Sequence, residues 1–138
     1  MIEKLKQIDE ILDPNRGKLV RDKIPSGDPN KYDIGSSQVL EPLELKIIAA
    51  ANKLREESGE VLEAARQWVA GGTNQDQDRD KLLEELADVK EVLLVATRIS
   101  GFSEEDLEEK RKWKEAKNGG FEKWLFMNSK RRKDGTGI

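Results

Sequence analysis

At 138 residues the chain is long enough for one domain with a single core. Charged residues (38%) slightly outnumber hydrophobic ones (36%), yet the apolar positions recur at helical spacing, which favours amphipathic helices over disorder. A net charge of −3 gives no bulk argument for nucleic acid. With no cysteine and no histidine, disulfides, thiol catalysis, Cys/His zinc sites and Ser-His nucleophile systems are excluded. Any metal must be held by oxygen, which selects Mg²⁺, Mn²⁺ or Ca²⁺.

Val, Ile and Thr do not alternate over a strand-length run, so the expectation is all-α. No apolar run approaches the roughly 20 residues of a membrane span, and the charged start does not read as a signal peptide. A cytoplasmic location with no membrane partner is expected.

In chain order, residues 1–12 carry Ile2, Leu5, Ile8 and Leu12 at helical spacing, a short packing or dimer-contact arm. Asp13-Pro14-Asn15-Arg16-Gly17 ends it in a turn. Lys18-Leu19-Val20-Arg21-Asp22-Lys23-Ile24-Pro25 follows, dense in cations around an apolar pair, and 26–37 reads as a loop. Glu41-Pro42 opens a long helix over 43–70, closed by Gly71-Gly72. A polar loop over 73–80 would let Asp80 cap a second long helix over 81–100. Ser103 to Asp106 resembles a capping box for a third helix ending near Lys117. After Asn118-Gly119-Gly120 come an apolar patch (Phe121, Trp124, Leu125, Phe126) and a basic cluster, Lys130-Arg131-Arg132-Lys133, in a tail expected to be flexible.

Wound at about 100° per residue, the first long helix gathers Leu43, Ala50, Leu54, Val61, Ala64 and Trp68 on one arc. Glu57 falls inside that arc, Glu60 on its shoulder beside Lys53, and Glu56 and Glu63 point the other way. The second helix repeats the anomaly. Its apolar face holds Leu82, Leu86, Val89, Val92, Leu93, Val95, Ala96 and Ile99, with Glu85 and Asp88 inside it and Glu84 and Glu91 opposite. An unpaired buried carboxylate is costly. Two inward acid pairs on antiparallel helices would place four carboxylates in one cleft, and a divalent cation would supply the missing charge. Either pair alone is more often a solvated face.

Glu56-Glu57-Ser58-Gly59-Glu60 followed by Glu85-Leu86-Ala87-Asp88 resembles the Glu-Glu-x-x-Glu, Glu-x-x-Asp signature of the MazG-like all-α nucleoside triphosphate pyrophosphohydrolases. The lead-in Lys53-Leu54-Arg55 is similar to that family's own, and the segment 18–25 and the closing run Lys114 to Phe121 are similar to a phosphoribosyl-ATP pyrophosphohydrolase-like subgroup. The loop 26–37 and the tail after Phe126 match no part of that pattern. The resemblance implies that Glu57, Glu60, Glu85 and Asp88 ligate Mg²⁺ (or Mn²⁺), with Glu56 and Glu57 near the attacking water. It also implies cleavage of the α–β phosphoanhydride of a (d)NTP or related nucleotide to monophosphate and pyrophosphate. Lys18, Arg21, Lys23, Lys53, Lys110 and Lys114 would then meet phosphate, with Arg111 and Lys117 as further cations of that helix, and Asn118 would meet base or sugar, a helix C-cap explaining Asn118-Gly119-Gly120 equally well. For each cation a solvated surface role is the competing reading.

The expected architecture is an antiparallel helical bundle on two long helices, completed by the third, as one domain over 1–126 with a basic tail over 127–138. The core of such a bundle is thin for so wide an apolar arc. Trp68, Trp113, Trp124 and the N-terminal helix are therefore expected to meet another subunit, in a homodimer or dimer of dimers. Two alternatives stay open. One is a non-catalytic binding protein whose basic tail contacts nucleic acid or an acidic partner; the other is a helical interaction partner whose inward acids pair across an interface.

Overall fold

The structure, a computed structural model, describes residues 2–12, 19–21 and 39–123. The turn 13–17, Lys18, Lys23, the loop 26–37, Trp124 and the basic tail lie outside the described residues. Four helices run through the rest: α1 (Ile2–Ile11), α2 (Pro42–Ala70), α3 (Gln75–Ile99) and α4 (Glu104–Asn118). Among the described residues there is no strand, as the all-α expectation requires.

Local chemistry sets the helix ends. Glu41 caps α2 with Pro42 in its first turn, and Glu44 Oε1 accepts the Glu41 backbone N–H at 2.9 Å, closing a capping box. Gly71 ends α2 at φ 78°, a left-handed turn that glycine enters without a Cβ penalty. α3 begins at Gln75, six residues before its expected start at Lys81, with Asn74 as its N-cap. The expected cap, Asp80, is instead part of the helix. The polar run 75–80 lacks the apolar periodicity that marks a helix in sequence, but Asp76 and Asp78 in a first turn complement the helix dipole. Gly101, at φ 84°, follows the end of α3.

The chain divides into two compact units, Met1–Glu104 and Glu105–Ile138. In the first unit α2 and α3 pack on each other, and α1 touches α2 near its start, where Lys4 Nζ lies 3.0 Å from Glu44 Oε2. Glu60 interacts with Glu85, while Lys53 and Glu57 line one recess with Asp88, Val92 and Val95. Rising numbers on α2 meet falling numbers on α3, so the two helices are antiparallel. The short connection between Ala70 and Gln75 permits that arrangement.

The described core is slight: Leu40, Leu45, Ala49, Ala50, Ala64 and Val92, with no large side chain fully enclosed. Three residues assigned to the apolar arcs by periodicity are open to solvent, Leu43 at 55%, Leu86 at 47% and Leu93 at 37%. Leu43 sits in the first turn of α2, and two helices alone cover only the seam between them. In the second unit α4 buries no residue, and its Trp113 is 53% exposed with Lys110 and Lys117 each 4.9 Å from the ring. No helix among the described residues is long and apolar enough to cross a membrane.

Candidate metal centre

Both inward acid pairs arrive where the helical wheels place them. Glu57 (5% exposed) and Glu85 (6%) are buried at the α2–α3 seam, Asp88 is half-buried, and Glu60 stands at the exposed rim. One oxygen from each of the four lies within 4.8 Å of the others. A helix rise of 1.5 Å per residue makes i and i+3 neighbours, so each helix contributes one pair and packing does the rest.

Three of the four carboxylates have a cation. Lys53 Nζ is 3.1 Å from Glu57 Oε1, Lys81 Nζ is 2.8 Å from Glu85 Oε1, and Arg21 donates to Asp88 Oδ1. The described residues supply no such pair for Glu60. Its carboxyl is instead pushed up to about 7, because it shares a proton in hydrogen bonds with Glu57 and Glu85 and sits beside their charges. Glu85 moves the other way, held below the usual carboxylate range chiefly by its hydrogen bond from Lys81. The proton thus settles on the acid that lacks a cation. Asp88 in turn raises the pKa of the Arg21 guanidinium.

Even so, the cluster is not satisfied. With Glu60 ionised, Glu57 Oε2 and Glu85 Oε2 are buried and receive no hydrogen bond. A buried acceptor without a donor costs about 1–3 kcal/mol, so two in one cluster are a reason to look for a cation. The donor set fits one, being all carboxylate oxygen.

Glu56 departs from the helical wheel. Expected to face solvent, it is half-buried, with Oε2 3.8 Å from Lys53 Nζ. Lys53 is long enough to draw both Glu56 and Glu57 toward one ammonium. Arg21, assigned a phosphate role from sequence, rests on the acid cluster. Lys81 has no role among the sequence expectations, though its position four residues before Glu85 repeats that of Lys53 before Glu57. That repeat was the available signal.

A recess of about 180 Å³ adjoins the cluster, with Leu19, Val20, Val92 and Val95 as its apolar walls and Arg21 and Lys53 among its polar lining. Glu91, which the wheel turns to solvent, is exposed but also lines this recess. The α4 residues proposed for substrate belong to the second unit. There Lys114 and Asn118 line an open recess with Phe121, Lys110 stacks on Trp113, and Arg111 is engaged by Glu108 and Glu115. Glu108 is held below the usual carboxylate range by that guanidinium.

Comparison with protein-family models, curated proteins and solved structures finds no match to this chain.

Proposed function

We propose that this chain is a Mg²⁺-dependent nucleotide pyrophosphohydrolase, cleaving the α–β phosphoanhydride of a (d)NTP or related nucleotide to the monophosphate and pyrophosphate. One observation carries the reading: four carboxylates from two helices converge within 4.8 Å, and two of them hold buried oxygens that no donor reaches. The MazG-like resemblance of Glu56 to Glu60 and Glu85 to Asp88 adds the reaction type.

In this reading Glu57, Glu60, Glu85 and Asp88 hold Mg²⁺, or Mn²⁺ in its place. When bound, the cation neutralises phosphate charge and makes water a better nucleophile near neutral pH. The chain's own groups do the remainder. Arg21 can bind a phosphate bidentately and Lys53 can act as a point charge beside it. Water adds to phosphorus on one side of the α–β bridge, the bridging P–O bond breaks, and its electron pair leaves on the departing group. The proton released by water passes to a carboxylate, since no histidine exists to take it. Glu56 is the nominated acceptor, being half-buried next to the cluster and outside the four ligands. No covalent intermediate is required.

The deciding experiment measures pyrophosphate release from a panel of nucleotides, phosphoribosyl-ATP included, with and without Mg²⁺. Release that needs Mg²⁺ and is lost in Glu57→Gln is the expected result. If no nucleotide is cleaved and Glu57→Gln leaves Mn²⁺ binding unchanged, the proposal fails.

A further inference from the structure

The acid quartet has two unlike ends. Lys53 lies one turn before Glu57 and Lys81 one turn before Glu85, and because α2 and α3 are antiparallel the two lysines bracket the quartet from opposite sides. Seven residues of helix, a rise of about 10 Å, separate Lys53 from Glu60 on α2 and Lys81 from Asp88 on α3.

The apolar recess is at the Lys53 end. Leu19 and Val20 form one side and Val92 and Val95 the other, and Glu57 and Asp88 belong both to this recess and to the acid cluster. At about 180 Å³ it is smaller than the roughly 300–1,000 Å³ that encloses a whole drug-sized ligand. It therefore accepts one ring system and leaves the rest of the ligand outside. Lys81 presents the opposite character. It is 57% exposed while its Nζ reaches Glu85, so a strongly hydrated, highly charged group can be met there without being stripped of water.

Resting on the nucleotide reading above, we infer that the ligand lies along the α2–α3 seam with one polarity. Its nucleoside ring occupies the recess between Leu19-Val20 and Val92-Val95, and its terminal phosphates lie at Lys81. Arg21 and Lys53 serve the phosphate nearest the nucleoside. Lys81 exchanges Glu85 for an oxygen of the pyrophosphate half, a role that fits its position on the far side of the quartet from the recess.

The two products separate these ends. In saturating Mn²⁺, calorimetry would measure binding of a nucleoside monophosphate and of pyrophosphate to the whole chain and to Val95→Phe, Leu19→Trp and Lys81→Ala. Circular dichroism would confirm helix content in each. Filling the recess with Val95→Phe or Leu19→Trp should weaken the monophosphate about tenfold and leave pyrophosphate within about twofold. Lys81→Ala should weaken pyrophosphate about three- to tenfold and leave the monophosphate within about twofold. Leu19 lies outside the helices and Lys81 on the surface, so these two variants decide the matter even if Val95→Phe unfolds. If both products bind but Lys81→Ala weakens the monophosphate, or the recess variants spare it or weaken both products alike, the polarity is overturned and the nucleotide reading stands. If neither product binds the wild-type chain in Mn²⁺, the nucleotide reading falls and takes this inference with it.

Discussion

A carboxylate oxygen buried without a donor destabilises the fold that holds it, and Glu57 Oε2 puts this to a direct test. Replacing its carboxylate by an amide removes one negative charge and adds a donor among acceptors. Glu57→Gln should raise the stability of the metal-free chain by about 1 kcal/mol in chemical denaturation, while weakening Mn²⁺ binding by about tenfold or more. Loss of stability together with loss of metal binding would mean that Glu57 serves the fold through Lys53. Glu60 supplies the pH dependence. Its folded-state value near 7 stands above the ordinary 4.5, so the folded chain keeps a proton that the unfolded chain releases first. Its contribution to stability is complete below about pH 4.5 and is lost as pH rises through about 7. Glu85, whose value is lowered, changes stability on the acid side, where its contribution is lost as pH falls. Melting of the metal-free chain from pH 5 to 8 should therefore fall with pH, and Glu60→Gln should flatten the slope. Glu60 was legible from sequence as a shoulder residue, but its proton was not, because that depends on which neighbours hold cations.

At the scale of the helix, two glycines of the same stretch predict opposite signs. Gly59 lies inside α2 between Glu57 and Glu60, and a Cβ there would meet nothing within 4 Å. Gly59→Ala should stabilise the chain by about 0.5–1 kcal/mol, since glycine pays more backbone entropy in a helix than alanine. Gly71 also has open space around it, but its φ of 78° is left-handed. There Gly71→Ala should destabilise by about 1 kcal/mol. Thermal or urea denaturation of both variants checks the pair, and Mn²⁺ binding should survive Gly59→Ala. Helix existence and type were legible because apolar spacing and end chemistry agree for α2, while end chemistry alone marks α4. The start of α3 was not, since a polar first turn lacks periodicity and is helical through charge placement and its continuation into Leu82 and Glu85.

Over the whole molecule, burial is the informative quantity. The described core holds six hydrophobic residues, half of them alanine, while Leu62, Val69, Leu83 and Leu86 on α2 and α3 are each 47% exposed or more. That much open apolar surface on packed helices fits a surface that another copy covers. We expect a homodimer, near twice the 15.7 kDa chain mass, in size-exclusion with light scattering. Its unfolding midpoint should rise with protein concentration. A monomer with a concentration-independent midpoint would count against it.

Sequence alone establishes the all-α class, the ends of α2, and the pairing of inward acids at i, i+3, because helical periodicity and capping are local and need nothing beyond a few neighbouring residues. It also determined that any metal site must be built of oxygen, since no histidine or cysteine is present. Packing is what brings the two acid pairs together, joins Lys81 and Arg21 to them, and turns Glu56 partly inward. Leu86 shows the same limit from the other side: a wheel ranks the faces of one helix, but which part of that face is covered depends on the helix packed against it.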